Sequence, residues 1–233
     1  MQIGVDPALV ASGVPSRWAQ ALTRDLGWAP RWHAEPALRL LDRLAQGQLD
    51  AAVFLSHPAA DALDQQGLIH SRMPLARTAV YLVGPQADLA GLRQRDDLAE
   101  ALAHAVLAHE AGAARWTPPA PGSALEALAA RLLQGHVVSR LGSAATPPRP
   151  RSEGIDRQPA YMLTTRAEWE AGDGARAGLR VWVAGGEEST LQAEFALPMR
   201  RRHPAARLLS QWLQGRMAES AWRQGRPGWV PLR

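Results

Sequence analysis

The tetrapeptide Ser123-Ala-Leu-Glu126 combines features that start a helix with features that bind anions. A serine and a glutamate three residues apart form a capping box, in which each side chain accepts a backbone N–H at the first turn of a helix. A helix N-terminus also presents free N–H groups and the positive end of the helix dipole, and both attract anions. Ser123 is therefore a candidate ligand-binding residue, although a plain N-cap is the commoner role for such a serine.

Catalytic and metal-binding motifs do not accompany this segment in the sequence. The chain has no Gly-x-Ser-x-Gly, His-Glu-x-x-His, P-loop or Rossmann glycine pattern. With no cysteine, it has no thiolate nucleophile and no cysteine-based metal site. His104 and His109 are five residues apart, one too many to share a helical face. The sequence therefore predicts a binding protein without enzymatic activity, bound metal or cofactor.

The charge of the chain is modest despite its high isoelectric point. The net charge is +4 and the pI is about 10.7, because all 26 basic residues are arginines and none is lysine. The basic run Arg200–His203 stands between a predicted strand and a predicted helix, which is typical of a solvated surface. We therefore expect no binding to nucleic acid.

The length and the apolar segments bound the class of protein. With 233 residues, 46% of them hydrophobic, the chain can bury a sizeable core as one large domain or two lobes. No apolar run approaches the roughly 20 residues of a membrane-spanning helix. Residues 1–30 lack the basic start and continuous apolar stretch of a signal peptide. The protein is therefore expected to be cytoplasmic, or to have lost a signal peptide.

Strand and helix patterns alternate through the first eighty residues. A helix begins at Pro15, a second begins near Pro36, and a short third helix covers about Ala59–Asp64. Strands joined by helices imply right-handed crossovers and an open, mostly parallel sheet. The predicted strands are Gln2–Val5, Trp28–His33 and Ala51–Leu55, with a turn around Asp6–Gly13.

The pattern begins again after Thr78–Gly84, which indicates a second lobe. Asp96 and Asp97 start a helix with apolar positions at Leu98 and Leu102, and Ser123 starts the next. Ser143–Gly154 is rich in Pro, Arg, Ser and Gly and predicts an exposed loop. The remaining predicted elements are the strands Ala160–Thr164, Leu179–Ala184 and Ala193–Leu197 and the helices Pro204–Gln214 and Met217–Gln224.

Several segments, in their order along the chain, resemble the tungstate-binding proteins of bacterial ABC importers. In that family a buried strand ends in His-Pro, as at His57-Pro58, and a later strand ends in Val-Gly-Pro, as at Val83-Gly84-Pro85. Ala160–Arg166 looks like the family's Ala-Tyr-Thr-Leu-Thr-Asp-Arg segment. Phe195–Pro198, followed by His203-Pro204, matches its return strand. Together these segments cover nearly the whole chain.

The resemblance implies an α/β fold of the type 2 periplasmic-binding-protein class, with two lobes and a ligand cleft between them. Residues 1–80 and 198–233 would form lobe 1, and residues 81–197 lobe 2. The implied function is that of a monomeric periplasmic receptor, which binds a small anionic solute such as tungstate or molybdate and docks on an ABC permease in the membrane. A cytoplasmic ligand-sensing domain of the same fold, as in LysR-type regulators, and a binding protein for a different solute are the alternatives.

The resemblance also suggests which loops contact the ligand. Oxyanions are held by N–H groups at helix N-termini, by hydroxyls and by arginines, and the corresponding loops offer such groups. The candidate ligand-binding residues are Ser12, Ser56, His57, Arg115, Ser123, Tyr161, Thr164 and Arg166.

Two acidic residues stand where the family carries neutral, hydroxyl-rich loops. The turn after the first strand is Gly4-Val5-Asp6-Pro7, and the second loop is Ala34-Glu35-Pro36. An aspartate in the first turn would repel a dianion. Asp6 and Glu35 could instead meet a cationic or hydroxylated ligand, or cap the helices that follow, which is the commoner role of acids there.

Overall fold

The apolar segments near the start of the chain form three parallel strands. In the computed structural model, β1 (Gln2–Val5) lies between β2 (Arg31–Ala34) and β3 (Ala51–Leu55). All five residues of β3 are buried, as expected of a strand covered on both faces. The structure describes residues 1–137, 159–172, 178–200, 203–223 and 228–232. The predicted loop Ser143–Gly154 lies outside these ranges.

Four helices accompany these strands: α1 (Pro7–Ala11), α2 (Val14–Leu26), α3 (Ala37–Ala45) and α4 (Pro58–Gln65). Proline near the N-terminus of α1, α2 and α4 fixes a helical φ where no N–H partner is needed. Gly27 ends α2 with a left-handed φ of 63°. The predicted turn at Asp6–Gly13 was wrong in part, because Asp6 caps a short helix there.

Antiparallel strands complete the first sheet. β8 (Leu191–Pro198) pairs with both β3 and β4 (Ile69–Thr78), and β9 (Val230–Pro231) pairs with β4. The sheet order is β2-β1-β3-β8-β4-β9. Most of β4 was not predicted, because its polar residues and its register irregularities obscure a strand pattern.

A smaller antiparallel sheet, ordered β6-β5-β7, forms the centre of the second lobe. Its strands are β5 (Val80–Pro85), β6 (Met162–Thr165) and β7 (Leu179–Ala184), and its helices are α5 (Leu98–Glu110), α6 (Ala124–Val137) and α7 (Arg166–Ala171). Ala79 alone separates β4 from β5, so the chain crosses there from one sheet to the other. A 3₁₀ turn at Glu187–Ser189 precedes β8 on the return.

The C-terminal helices α8 (Pro204–Leu213) and α9 (Arg216–Arg223) belong with the first sheet. The ring of Trp222 contacts those of Trp18 on α2 and Trp229, both at centroid distances of 5.1 Å. Such aromatic contacts fasten the end of the chain to its first helices. The lobe boundaries given above stay a prediction. In the described residues, no helix has the length and apolarity to cross a membrane.

Candidate functional site

A cavity of about 280 Å³, here called the interlobe cavity, lies between the two lobes. Asp6, Pro36 and Leu55 line it from the carboxyl ends of β1, β2 and β3. Ser123 and Thr164 line it from the second lobe. Open α/β sheets bind ligands at this end of their parallel strands, so this cavity is the candidate ligand site.

The lobes touch each other beside the interlobe cavity. The N–H of Leu38, in the first turn of α3, donates to the carbonyl of Gly122 at 2.9 Å. Gly122 adopts a left-handed φ of 71°, and a Cβ there would lie 3.1 Å from the Cβ of Leu38. Glycine at this position therefore permits both the turn and the close approach of the lobes.

Three helix N-termini meet at the interlobe cavity, and the chain caps each of them itself. At α1, the Asp6 carboxylate accepts the N–H of Ala8 at 3.0 Å. At α6, one half of the predicted capping box is present, since Ser123 Oγ accepts the N–H of Glu126 at 3.1 Å. The Glu126 carboxylate accepts the N–H of Gly122 at 2.6 Å, one residue before the N-cap, and the N–H of Ser123 donates to the carbonyl of Ala120. The helix start predicted at Ser123 is therefore confirmed.

The third N-terminus, that of α7, carries a complete capping box. Thr165 Oγ1 accepts the N–H of Glu168 at 3.1 Å, and the Glu168 carboxylate accepts the N–H of Thr165 at 3.2 Å. Glu168 also lines the interlobe cavity. Neither α7 nor Glu168 was predicted, although Thr165-Arg-Ala-Glu168 is the same type of pattern as Ser123-Ala-Leu-Glu126 and indicates a helix start.

The electrostatics of the interlobe cavity are dominated by Asp6 and Glu168. Asp6 is 5% exposed, and burial raises the pKa of its carboxyl to about 6, with a further increase from the charge of Glu168. The N–H groups of Ala8 and Leu55 act in the opposite direction. Among the described residues that line the cavity there are these two acids and no histidine or arginine.

A second cavity of about 250 Å³ adjoins the first, and Ala124 lines both. Ser56 and His57 lie in it at the end of β3. His57 Nδ1 accepts the N–H of Ala59 at 3.1 Å and so caps α4. Burial lowers the pKa of the His57 imidazole.

Both arginines of the second cavity are engaged by acceptors of the protein. Arg72 forms ion pairs with Asp61 and with the buried Glu194. Arg131 donates to the backbone carbonyl of Glu188 at 2.7 Å. An anion in the second cavity would therefore compete with acceptors of the protein for both arginines.

The structure brings together some of the eight candidate residues and separates others. Ser123 and Thr164 line the interlobe cavity, and Ser56 and His57 line the second cavity. The remaining four candidates line neither of these two cavities in the described part of the chain. They are Ser12, Arg115, Tyr161 and Arg166.

Three of these four candidates have defined local partners. Ser12 is 2% exposed and donates to the carbonyl of Leu9 at 2.7 Å. The Tyr161 hydroxyl accepts the N–H of Leu89 at 3.1 Å, and its ring is buried in the hydrophobic core. Arg166 forms an ion pair with Glu170 at 2.7 Å.

Two other positions raised by the sequence also have contacts in the structure. The backbone carbonyl of Arg115 accepts the N–H of Tyr161 at 2.8 Å. Glu35, which the sequence offers as a ligand contact or a helix cap, forms ion pairs with Arg43 and, at 3.7 Å, with Arg39.

Comparison with known proteins places this geometry in a common fold. No family model and no curated protein sequence matches the chain. Among solved structures, a periplasmic candidate metal-binding protein has a TM-score of 0.77 at 19% identity, covering 99% of this chain and 95% of its own. The tungstate ABC transporter protein from Geobacter sulfurreducens has a TM-score of 0.73 at 16% identity, covering 96% and 97%.

Regulatory proteins share the same architecture. The CcmR regulatory domain from Synechocystis has a TM-score of 0.59 at 11% identity, covering 91% of this chain and 94% of its own. At these identities the likeness concerns the fold, and one fold serves several functions. The resemblance noted in the sequence is thus confirmed at the level of architecture: the chain has the two-lobed α/β fold of type 2 periplasmic binding proteins.

Proposed function

We propose that this protein is the solute-binding receptor of an ABC importer and that its two lobes close on a small solute in the interlobe cavity. The observation that carries the proposal is that both lobes line one cavity, Asp6 and Leu55 from one side and Ser123 and Thr164 from the other. A ligand that contacts both lobes favours the closed arrangement, because the open one lacks half of the contacts.

Similarity to solved structures of binding proteins supports the transport role. The similar structures include a tungstate ABC transporter protein and a periplasmic protein. On this proposal the protein works in the periplasm as a monomer, binds no nucleic acid, and presents its closed form to a membrane permease. The lobes would convert occupancy of the cavity into a shape that the permease recognises.

The oxyanion implied by the sequence resemblance meets mixed surroundings in the interlobe cavity. Thr117, Ser123 and Thr164 offer hydroxyl groups that could donate to tungstate or molybdate. Asp6 and Glu168 line the same cavity, and their negative charges oppose a dianion. We therefore propose a receptor for a small solute and treat tungstate and molybdate as ligands to be tested.

A regulatory role is the second candidate, and the similarity to the CcmR regulatory domain favours it. In that case closure on the ligand would change a contact with a partner in the cytoplasm. The complete gene distinguishes the two roles. An encoded signal peptide supports the receptor, whereas an encoded helix-turn-helix domain supports the regulator.

The absence of cysteine from the chain makes lobe closure directly measurable. Spin labels on Asp42→Cys, exposed on α3, and Glu110→Cys, exposed at the end of α5, report the distance between the lobes. The solutes to be tested are tungstate, molybdate, sulfate, phosphate, organic anions, amines and sugars. For each solute, thermal unfolding measures the change in stability and the spin labels measure the change in distance. A ligand at 100 times its Kd should stabilise the fold by about 2.7 kcal/mol.

The expected result is one class of solute that both stabilises the fold and narrows the distance between the labels. Labels on Asp42→Cys and Gln46→Cys, both on or next to α3, provide the control, because their separation should not change. If no member of the panel changes either the stability or the interlobe distance, the proposed function is wrong.

A further inference from the structure

We infer that the interlobe cavity takes a small organic cation, an amine with a short apolar body, and discriminates against oxyanions. The inference rests on the proposed function, because it names the ligand class of that same cavity. It depends on three properties of the lining: the capped helix N-termini, the two carboxylates and the apolar walls.

At each helix N-terminus of the cavity, a side chain of the protein accepts one backbone N–H. An oxyanion site of this fold class uses free N–H groups at helix N-termini. Here the carboxylates of Asp6 and Glu168 accept such groups at α1 and α7, and Ser123 Oγ accepts one at α6. An entering oxyanion would have to displace these internal acceptors before it gained the same bonds.

The two carboxylates come from opposite lobes. Asp6 follows β1 of the first sheet, Glu168 lies on α7 of the second lobe, and α1 and α7 contact each other. The two carboxyl groups are close enough for the charge of Glu168 to raise the pKa of Asp6. A cationic ligand placed between them would be attracted to both lobes and would relieve their mutual repulsion, so binding would favour closure.

The rest of the lining favours an organic cation over a metal ion. Two carboxylates are fewer than the four ligands of a typical structural metal site. Pro7, Leu55, Pro118 and Met162 contribute apolar surface to the same cavity. Ligand pockets for small organic molecules combine such apolar walls with a few placed polar groups.

The burial of Asp6 points to a role beyond capping. A neutral asparagine caps a helix as well as an aspartate does, whereas an ionised carboxylate at 5% exposure is costly to keep. Strongly perturbed carboxyl groups in a cleft are typical of functional sites. A ligand ammonium group would compensate the charge that the cavity otherwise leaves facing Glu168.

Isothermal titration calorimetry at pH 7.5 tests the ligand class with matched probes. The amines are ethanolamine, putrescine, choline and benzylamine, and each has a neutral counterpart of similar shape, for example butane-1,4-diol for putrescine. Tungstate and molybdate complete the set. We expect at least one amine to bind, its neutral counterpart to bind at least tenfold more weakly, and the two oxyanions to give no heat of binding.

Two substitutions test the residues. Asp6→Asn and Glu168→Gln should each weaken binding of the amine at least tenfold, while the exposed Asp42→Asn should leave it unchanged. Circular dichroism and the urea midpoint show whether each variant folds. Asp6→Asn keeps the cap of α1, so it carries the test if Glu168→Gln does not fold.

The inference and the proposed function fail in different ways. Binding of tungstate or of a neutral solute without any amine overturns the inference and leaves the proposed receptor standing. Amine binding that survives both substitutions also overturns the inference. Absence of binding and of lobe closure with every probe overturns both.

Discussion

Asp6 and Glu168 line one cavity from opposite lobes, and each carboxylate also caps the helix that carries it. The double role links three properties of the protein. Capping positions the carboxylates, burial makes the charge of Asp6 costly, and the shared cavity lets a ligand offset that cost. Stability and binding should therefore respond in opposite directions when Asp6 is neutralised.

Asp6→Asn is expected to stabilise the protein at neutral pH. Burial raises the pKa of Asp6 from about 4 in an unfolded chain to about 6 in the folded protein. Between these values the folded state binds the proton more tightly, so the free energy of unfolding falls as the pH rises from about 4 to 6 and stays lower above 6. Asp6→Asn has no carboxyl group at this position, so its free energy of unfolding does not fall in this way. The difference between the two proteins is at most about 3 kcal/mol.

Urea unfolding of wild type and Asp6→Asn at pH 3.5, 5, 6 and 7.5 measures this difference. The two proteins should differ least at pH 3.5 and most at pH 7.5. Asp42→Asn, on the exposed face of α3, is the matched control and should show no comparable gain. A variant that is less stable than wild type at pH 7.5 would show that the charge of Asp6 is compensated in the folded protein.

Ser123→Ala is expected to lower both stability and affinity. Loss of the hydroxyl frees the N–H of Glu126, and loss of an N-cap costs about 1 kcal/mol. Because Ser123 also lines the interlobe cavity, ligand binding should weaken by more than this amount, which titration calorimetry measures. Asp97→Ala removes the N-cap of α5 and should cost similar stability without changing affinity. If Ser123→Ala binds the ligand with the same affinity as Asp97→Ala, Ser123 does not contact the ligand.

Tyr161→Phe is expected to lower stability without changing ligand affinity. The hydroxyl accepts the N–H of Leu89 at 3.1 Å. This N–H also donates to the carbonyl of Ala87 at 3.0 Å, so the substitution removes one hydrogen bond without leaving the N–H unpaired and should cost about 1 kcal/mol. The ring lies against Gly84, where an added Cβ would come within 2.2 Å of Tyr161 Cδ1. Urea unfolding and calorimetry separate the two effects. A more than twofold loss of ligand affinity in Tyr161→Phe would show that the Tyr161 hydroxyl contributes to ligand binding.

Arg72→Ala is expected to destabilise the first sheet strongly. Arg72 on β4 pairs with Glu194 on β8, whose side chain is 7% exposed. Removal of one partner of a buried ion pair leaves an uncompensated charge and costs about 3–5 kcal/mol. The double variant Arg72→Ala, Glu194→Gln should recover part of this loss in urea unfolding. If the double variant is no more stable than the single one, the burial of the Glu194 charge is not the cause.

Local patterns in the sequence determined the elements of the chain. The apolar run Ala51–Leu55 and the segment Leu179–Ala184 are strands with the predicted bounds, and Ser123 caps α6 as its spacing with Glu126 indicated. These features depend on residues within a few positions of one another, so propensity, periodicity and capping chemistry are sufficient to predict them. The alternation of strands and helices also gave the parallel part of the first sheet.

Contacts between distant segments were decided by the tertiary structure. The pairing of β8 with both β3 and β4 joins segments more than 100 residues apart, and no local pattern specifies such a register. In the same way, the sequence marked Asp6 as an acid in a turn, but the packing of α1 against α7 brought Glu168 to the same cavity. The charge of the candidate site depends on that packing, because carboxylates interact through space and not along the chain.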